Sequence, residues 1–142
     1  MSKFTPAVAY SGAAVSAALA VLAIVDQTSA HWTRRDVASH YGSHGLDPGP
    51  NLLTILLAVS FLCAALLFAL GVRAQSRGKK GAARGLAITI AVCGLAFATL
   101  ATFSSEYGGP VLVMFWRVLP WVVPMIAVAD LMTIKSSTRP AA

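Results

Sequence analysis

The sequence predicts an all-α fold: a four-helix transmembrane bundle with both termini inside and a short interfacial helix in the first outward loop. Three observations carry this expectation. Of 142 residues, 57% are hydrophobic and only 11% are charged, against roughly 25% charged residues in an average soluble domain. So few charges cannot coat a soluble chain of this length. The charges also punctuate the chain into four apolar stretches, each long enough to cross the roughly 30 Å hydrocarbon core at about 1.5 Å of helical rise per residue. Finally, Lys and Arg are distributed unevenly between alternate connecting segments. Length and composition allow one integral membrane domain over residues 1–142 and exclude a disordered chain or a disulfide framework.

The first span covers about 4–25 and carries no charge over 22 residues. It is expected to be a retained helix, because the apolar stretch exceeds the roughly 7–15 residues of a signal-peptide core. Ala9, Ala13, Ser16, Ala20 and Ala23 form a stripe of small residues along it. A second stripe runs through Ala87, Ala91, Gly94, Ala98 and Ala101 in the third span. Small residues let helix backbones approach closely where lipid provides no hydrophobic drive. On that basis the first and third helices should lie together in a left-handed bundle. The bulkier second and fourth helices would then suit lipid contact or outer packing.

The outward loop, 26–51, is the least generic segment. Thr33-Arg34-Arg35-Asp36 fits a capping box, with Thr33 as the cap and Asp36 reaching back. It predicts a helix from about Arg34 to Tyr41, stopped by Gly42, with Trp32 and Tyr41 at the membrane interface. All three histidines, His31, His40 and His44, fall in this loop. Asp36, His40 and His44 are weak candidate metal ligands, since imidazole and carboxylate are competent donors and Asp36 and His40 stand one helical turn apart. Solvated or interfacial histidines explain the same residues more plainly. A pH-responsive loop is a third reading. Leu46-Asp47-Pro48-Gly49-Pro50 then turns the chain into the next span.

The second span covers about 52–72 and the third about 85–105. Cys63 and Cys93 lie at similar depth within them and could face each other across a helix interface. Between these spans lies the loop 73–84, with Arg73, Arg77, Lys79, Lys80 and Arg84. These five side chains suit anionic lipid headgroups, at about 1 kcal/mol each. Nucleic acid is not expected as a partner, because neither interleaved aromatics nor a recognition motif accompanies the charges.

The fourth span, about 111–134, contains Arg117 and Asp130. A charge at midspan costs about 2.5–3.5 kcal/mol on insertion scales, so Arg117 needs a partner or an escape to the interface. It could pair with Glu106 or Asp26, or snorkel outward beside Trp116 and Trp121 in an aromatic belt. Together with Pro120 and Pro124, which free backbone carbonyls and kink a helix, it forms a candidate intramembrane functional site. Asp130 is expected to pair with Lys135, Arg73 or Arg84 as a structural lock.

Orientation follows from the basic residues. The terminal segments and the 73–84 loop hold eight positive residues and no acid, whereas the other two loops hold Arg34 and Arg35 against Asp26, Asp36, Asp47 and Glu106. The positive-inside rule therefore places both termini and the 73–84 loop in the cytoplasm. The net charge of +6 reads as a record of membrane orientation.

This order of elements, with a His- and Tyr-containing outward helix and a basic turn RGKKGAAR from Arg77 to Arg84, resembles small four-helix bacterial integral membrane proteins of unknown function. The resemblance covers most of the chain in architecture. It implies a multi-pass protein of the bacterial plasma membrane and transfers no catalytic or binding residue. Small multidrug transporters are of similar size, but they carry an acidic residue inside the first helix, which residues 4–25 lack.

No nucleophile–base pair, metal motif or Gly-rich phosphate loop stands out, so neither enzymatic activity nor a cofactor is expected. The sequence points first to an accessory or scaffolding membrane protein, partnered by lipid and by another membrane protein or a second copy. The alternatives are a subunit of a small oligomeric transporter or channel using Arg117 and the Pro120/Pro124 kink, and an extracytoplasmic metal- or pH-sensing loop.

Overall fold

The computed structural model describes residues 6–45, 51–106, 109–110 and 112–136. Lys3, Asp47 with the rest of the 46–50 turn, and Arg139 lie outside the described residues, as do the side chains of Glu106 and Lys135. Helix α1 spans Ala7–Val25 and continues into a π-helical turn, Asp26–Ala30. A short helix α2 follows, Trp32–Gly42. The longer helices are α3, Asn51–Ser76, and α4, Lys80–Phe103. The chain then passes through a two-residue antiparallel ladder, β1 Ser105–Glu106 with β2 Gly109–Pro110. It ends in α5, Met114–Val118, a 3₁₀ turn Leu119–Trp121, and α6, Val122–Ser136.

Four helical stretches are long and apolar enough to cross a membrane: Ala7–Ala30, Leu52–Ser76, Lys80–Phe103 and Met114–Ile134. The helices overrun the boundaries set by the charges, because Lys and Arg are good helix formers and their charged ends reach away from the axis. Arg73 therefore belongs to α3, and Lys80 and Arg84 to α4. The connection between them shrinks to Arg77, Gly78 and Lys79. Gly78 has φ +69°, and the turn closes through Gly78 N–H to Gln75 O at 2.9 Å and Lys79 N–H to Ala74 O at 2.9 Å. That bond pair is a Schellman motif, which glycine favours because it enters the left-handed region without a Cβ penalty.

The stripes of small residues are buried faces, but their partners differ from the expectation. Helix α1 packs chiefly on α3, α3 also on α4, and α4 on α6, while α6 returns to α1. The first and third spans thus sit across the bundle from each other and do not lie together. The physical reason is complementarity of size, since a stripe of small side chains leaves room that another such stripe cannot fill. The bulky neighbour fills it instead: Phe61 and Phe68 of α3 are 2% and 1% exposed. A Cβ on Gly12 would stand 2.5 Å from the Phe68 ring, and one on Gly94 would stand 3.2 Å from Cδ of Pro124.

The fourth span is broken where its prolines predict a kink. Pro120 sits buried in the 3₁₀ turn, where it lacks the N–H that would continue the α-helical ladder. Pro124 falls in the first turn of α6, directly after that 3₁₀ turn.

Replacing Gly12 with Val should lower the stability of the detergent-solubilised protein by about 1–3 kcal/mol through overpacking against Phe68. Gly81, with open space around it, serves as the control. Gly81→Ala should be neutral or stabilising by up to about 1 kcal/mol through helix propensity alone. Thermal melts of both variants check the pair.

Candidate functional site

The polar chemistry of the described chain gathers at the bundle end that carries α2, and its centre is Asp26. This residue is 1% exposed and opens the π-helical turn, whose wider loop closes with His31 N–H donating to Asp26 O at 2.7 Å. His31 then takes φ +53°, an uncommon left-handed value for a residue with a side chain. This pair of irregularities reverses the chain so that α2 folds back over Asp26. The Asp26 carboxylate accepts three hydrogen bonds. Thr33 N–H reaches Oδ1 at 3.1 Å, the Thr33 hydroxyl reaches Oδ2 at 2.5 Å, and the indole N–H of Trp116 reaches Oδ2 at 2.8 Å. The neighbouring Gln27 accepts a hydrogen bond from the Thr54 hydroxyl, which ties the same turn to α3.

The expected capping box is therefore not formed. Helix α2 begins at Trp32, with His31 in the cap position and no side-chain cap bond. Thr33 lies inside the helix, one residue past its start, and both its N–H and its hydroxyl donate to the Asp26 carboxylate, which in a buried setting needs those donors. Asp36, the proposed second half of the box, is exposed. Buried Thr33, Val37 and Tyr41 turn one face of α2 onto the bundle, while Arg34 and Arg35 are exposed.

Trp116 is also corrected. It belongs to no aromatic belt: it is fully buried, with its ring centroid 6.0 Å from Phe61 and 5.0 Å from Phe115. A buried indole needs an acceptor for its N–H, and Asp26 supplies one. Of the two acids offered as alternative partners of Arg117, Asp26 does not pair with it, and the side chain of Glu106 lies outside the described residues.

Arg117 has a different set of partners. Its Nε donates to the backbone carbonyl of Thr102 at 3.1 Å, and the Thr102 hydroxyl lies 2.8 Å from the carbonyls of both Arg117 and Ala98, its single proton serving one at a time. The indole N–H of Trp121 donates to the same hydroxyl at 2.8 Å. Arg117 is thus part of a reciprocal clasp between the last turn of α4 and the break in the fourth span. Thr102 thus offers a donor to the Arg117 carbonyl, three residues before Pro120, as a neighbouring helix can where a proline interrupts a span.

The histidines stay on the loop. His40 and His44 rings lie 5.9 Å apart, and His44 Nδ1 is 3.1 Å from the backbone carbonyl of His40. Among the described residues no group of three or more His, Cys, Asp or Glu is placed to hold a metal ion. Cys63 and Cys93 are both free. They line, from α3 and α4, one apolar groove of about 340 Å³ that Phe61, Phe97, Pro120 and Val123 complete. Arg117 does not line it.

At the opposite end, no lysine or arginine among the described side chains pairs with Asp130, and that of Lys135 lies outside them. The amide Nε2 of Gln75 lies 3.1 Å from each of its carboxyl oxygens. Arg73, Arg77, Lys79, Lys80 and Arg84 are all exposed, because long basic side chains gain more from solvation than from entering a bundle. Sequence reasoning missed Thr33 and Gln75 as partners of buried carboxylates. The available signal was that Asp26 and Asp130 adjoin or interrupt apolar spans and must be satisfied locally.

Comparisons with protein-family models, curated proteins and solved structures found no match for this chain.

Asp26→Ala should lower stability by about 3 kcal/mol, since it strands buried donors of Thr33 and Trp116. Trp116→Phe should cost about 1–2 kcal/mol in the native chain and much less beside Asp26→Ala. A double-mutant cycle on detergent-solubilised protein reads the difference as their coupling.

Proposed function

We propose that this chain is a multi-pass protein of the bacterial plasma membrane that works as an accessory or scaffolding component, with both termini and the 73–84 turn cytoplasmic. Four apolar helices suit a membrane, and the asymmetry of Lys and Arg supplies the orientation. The five exposed basic side chains around Gly78 are well placed to meet anionic headgroups. In this orientation α2 lies on the outward side, with its buried face on the bundle and Arg34, Arg35 and Asp36 turned away from it.

The observation that carries the reading is what the buried polar groups are used for. Asp26 binds α1 to α2 and α5, and the Thr102 clasp binds α4 to Arg117 and Trp121. Each joins one helix to another. The groove between α3 and α4 is walled mainly by apolar side chains, a surface suited to lipid tails or a partner helix. A transporter reading would require Arg117 to meet solute in a polar cavity, and its Nε instead meets a backbone carbonyl. A protein built to hold shape and present surfaces is the function best supported by such an arrangement.

Two measurements test this reading. In a Cys63→Ala, Cys93→Ala background, Ser39→Cys should react with an impermeant maleimide in intact cells, and Ala82→Cys only after permeabilisation. The reverse pattern overturns the orientation. Arg117→Leu should leave co-purifying membrane partners unchanged while lowering stability by about 1–3 kcal/mol. Loss of a solute flux on reconstitution, with the fold intact, would favour the transporter.

A further inference from the structure

The two buried carboxylates are satisfied very differently. Asp26 has three donors on its two oxygens. Asp130 is 3% exposed and has one neutral amide. The Gln75 Nε2 lies equidistant from both carboxyl oxygens, while the other half of that amide, Oε1, is buried with no hydrogen-bond partner. Gln75 is itself only 8% exposed. The surroundings are apolar, formed by Ala74, Ala83, Ala87, Leu131 and Ile134. A negative charge with too few donors thus sits beside a carbonyl with none, and each deficit is unfavourable in a medium that cannot hydrogen-bond.

A single proton repairs both. As a carboxylic acid, Asp130 has an O–H to donate to Gln75 Oε1 and a carbonyl oxygen to accept from Gln75 Nε2. The result is a closed acid–amide pair with two hydrogen bonds and no net charge. It requires only a turn of the Gln75 amide about its soft terminal torsion. The proton comes from hydronium in the water at this end of the bundle: one O–H bond of hydronium breaks as an O–H bond forms on the carboxylate, and the donor leaves as water.

We propose that Asp130 and Gln75 form a proton-binding site inside the bundle, occupied at neutral pH. Among the described side chains, Gln75 is the group bonded to the Asp130 carboxylate, and that of Lys135 on the same helix lies outside them. Arg73 on α3, Lys80 and Arg84 on α4 and Tyr10 on α1 are exposed. On α6 the Thr133 hydroxyl donates to the backbone carbonyl of Asp130 at 2.7 Å. The proposal does not depend on the scaffolding reading.

Infrared spectroscopy of the full chain in lipid bilayers at neutral pH tests it. The expected result is the carbonyl stretch of a hydrogen-bonded carboxylic acid, shifted in D₂O, absent in Asp130→Asn and moved towards the free-acid position in Gln75→Leu. Asn can exchange two hydrogen bonds with Gln75, so Asp130→Asn should keep the native melting temperature. Should that variant fail to fold, wild-type protein carrying ¹³C-carboxyl aspartate decides the matter. One of its four Asp carboxyls should stay in the protonated position at neutral pH. Four ionised carboxyls at neutral pH would overturn the proposal, as would an acid band unaffected by Asp130→Asn. An acid band that appears only when sodium is replaced by choline would also overturn it, by assigning the site to an alkali cation.

Discussion

The carboxylate of Asp26 joins three pieces of chain that the sequence keeps far apart: the end of the first long helix, the short helix that follows it, and the start of the fourth span. A carboxylate in apolar surroundings must gather donors or be expelled, and the fold is arranged so that it gathers them. The π-helical turn and the left-handed His31 bring Thr33 back over it, and the burial of Trp116 delivers the third donor. Packing of the large aromatic residues depends on the same contact. Trp116 can lie against Phe61 and Phe115 at no exposure because its one polar atom already has a partner.

Around this node the helices use shape in place of hydrophobic drive. Lipid tails are as apolar as leucine, so association of spans rests on close contact and on hydrogen bonds. Small residues on α1 and α4 accept the bulk of α3 and of the proline-containing fourth span, as the approaches at Gly12 and Gly94 show. The Thr102 clasp then mends the backbone where Pro120 interrupts it. One buried hydroxyl, Ser16 Oγ, has no partner, and nothing in its surroundings explains it.

The sequence made the spans legible because a helix crossing an apolar layer must be long and uncharged, a demand that acts on every residue of the segment. It also made the small-residue stripes legible as buried faces. Their partners were not, since periodicity tells which face is buried and is silent on what fills it. The roles of Thr33 and Gln75 were hidden for different reasons. Thr33 matched a local capping pattern, and only the irregular turn after Asp26 diverts its hydroxyl to a partner seven residues back. Gln75 sits beside arginines that looked better suited to Asp130, but those cations gain more from the surface than from the interior.

The π-helical turn has a consequence for how this chain can change in length. A π-turn is an α-helix with one residue added, and each residue turns the helix by about 100°. Between Asp26 and Thr33 that extra residue sets the direction in which α2 departs. Removing any one residue there would swing Thr33 away from the carboxylate and carry Val37 and Tyr41 off the bundle with it. Most surface connections absorb insertions and deletions readily. This segment should behave in the opposite way, tolerating exchange of exposed Thr28 or Ser29 while fixing the number of residues between them and the helix.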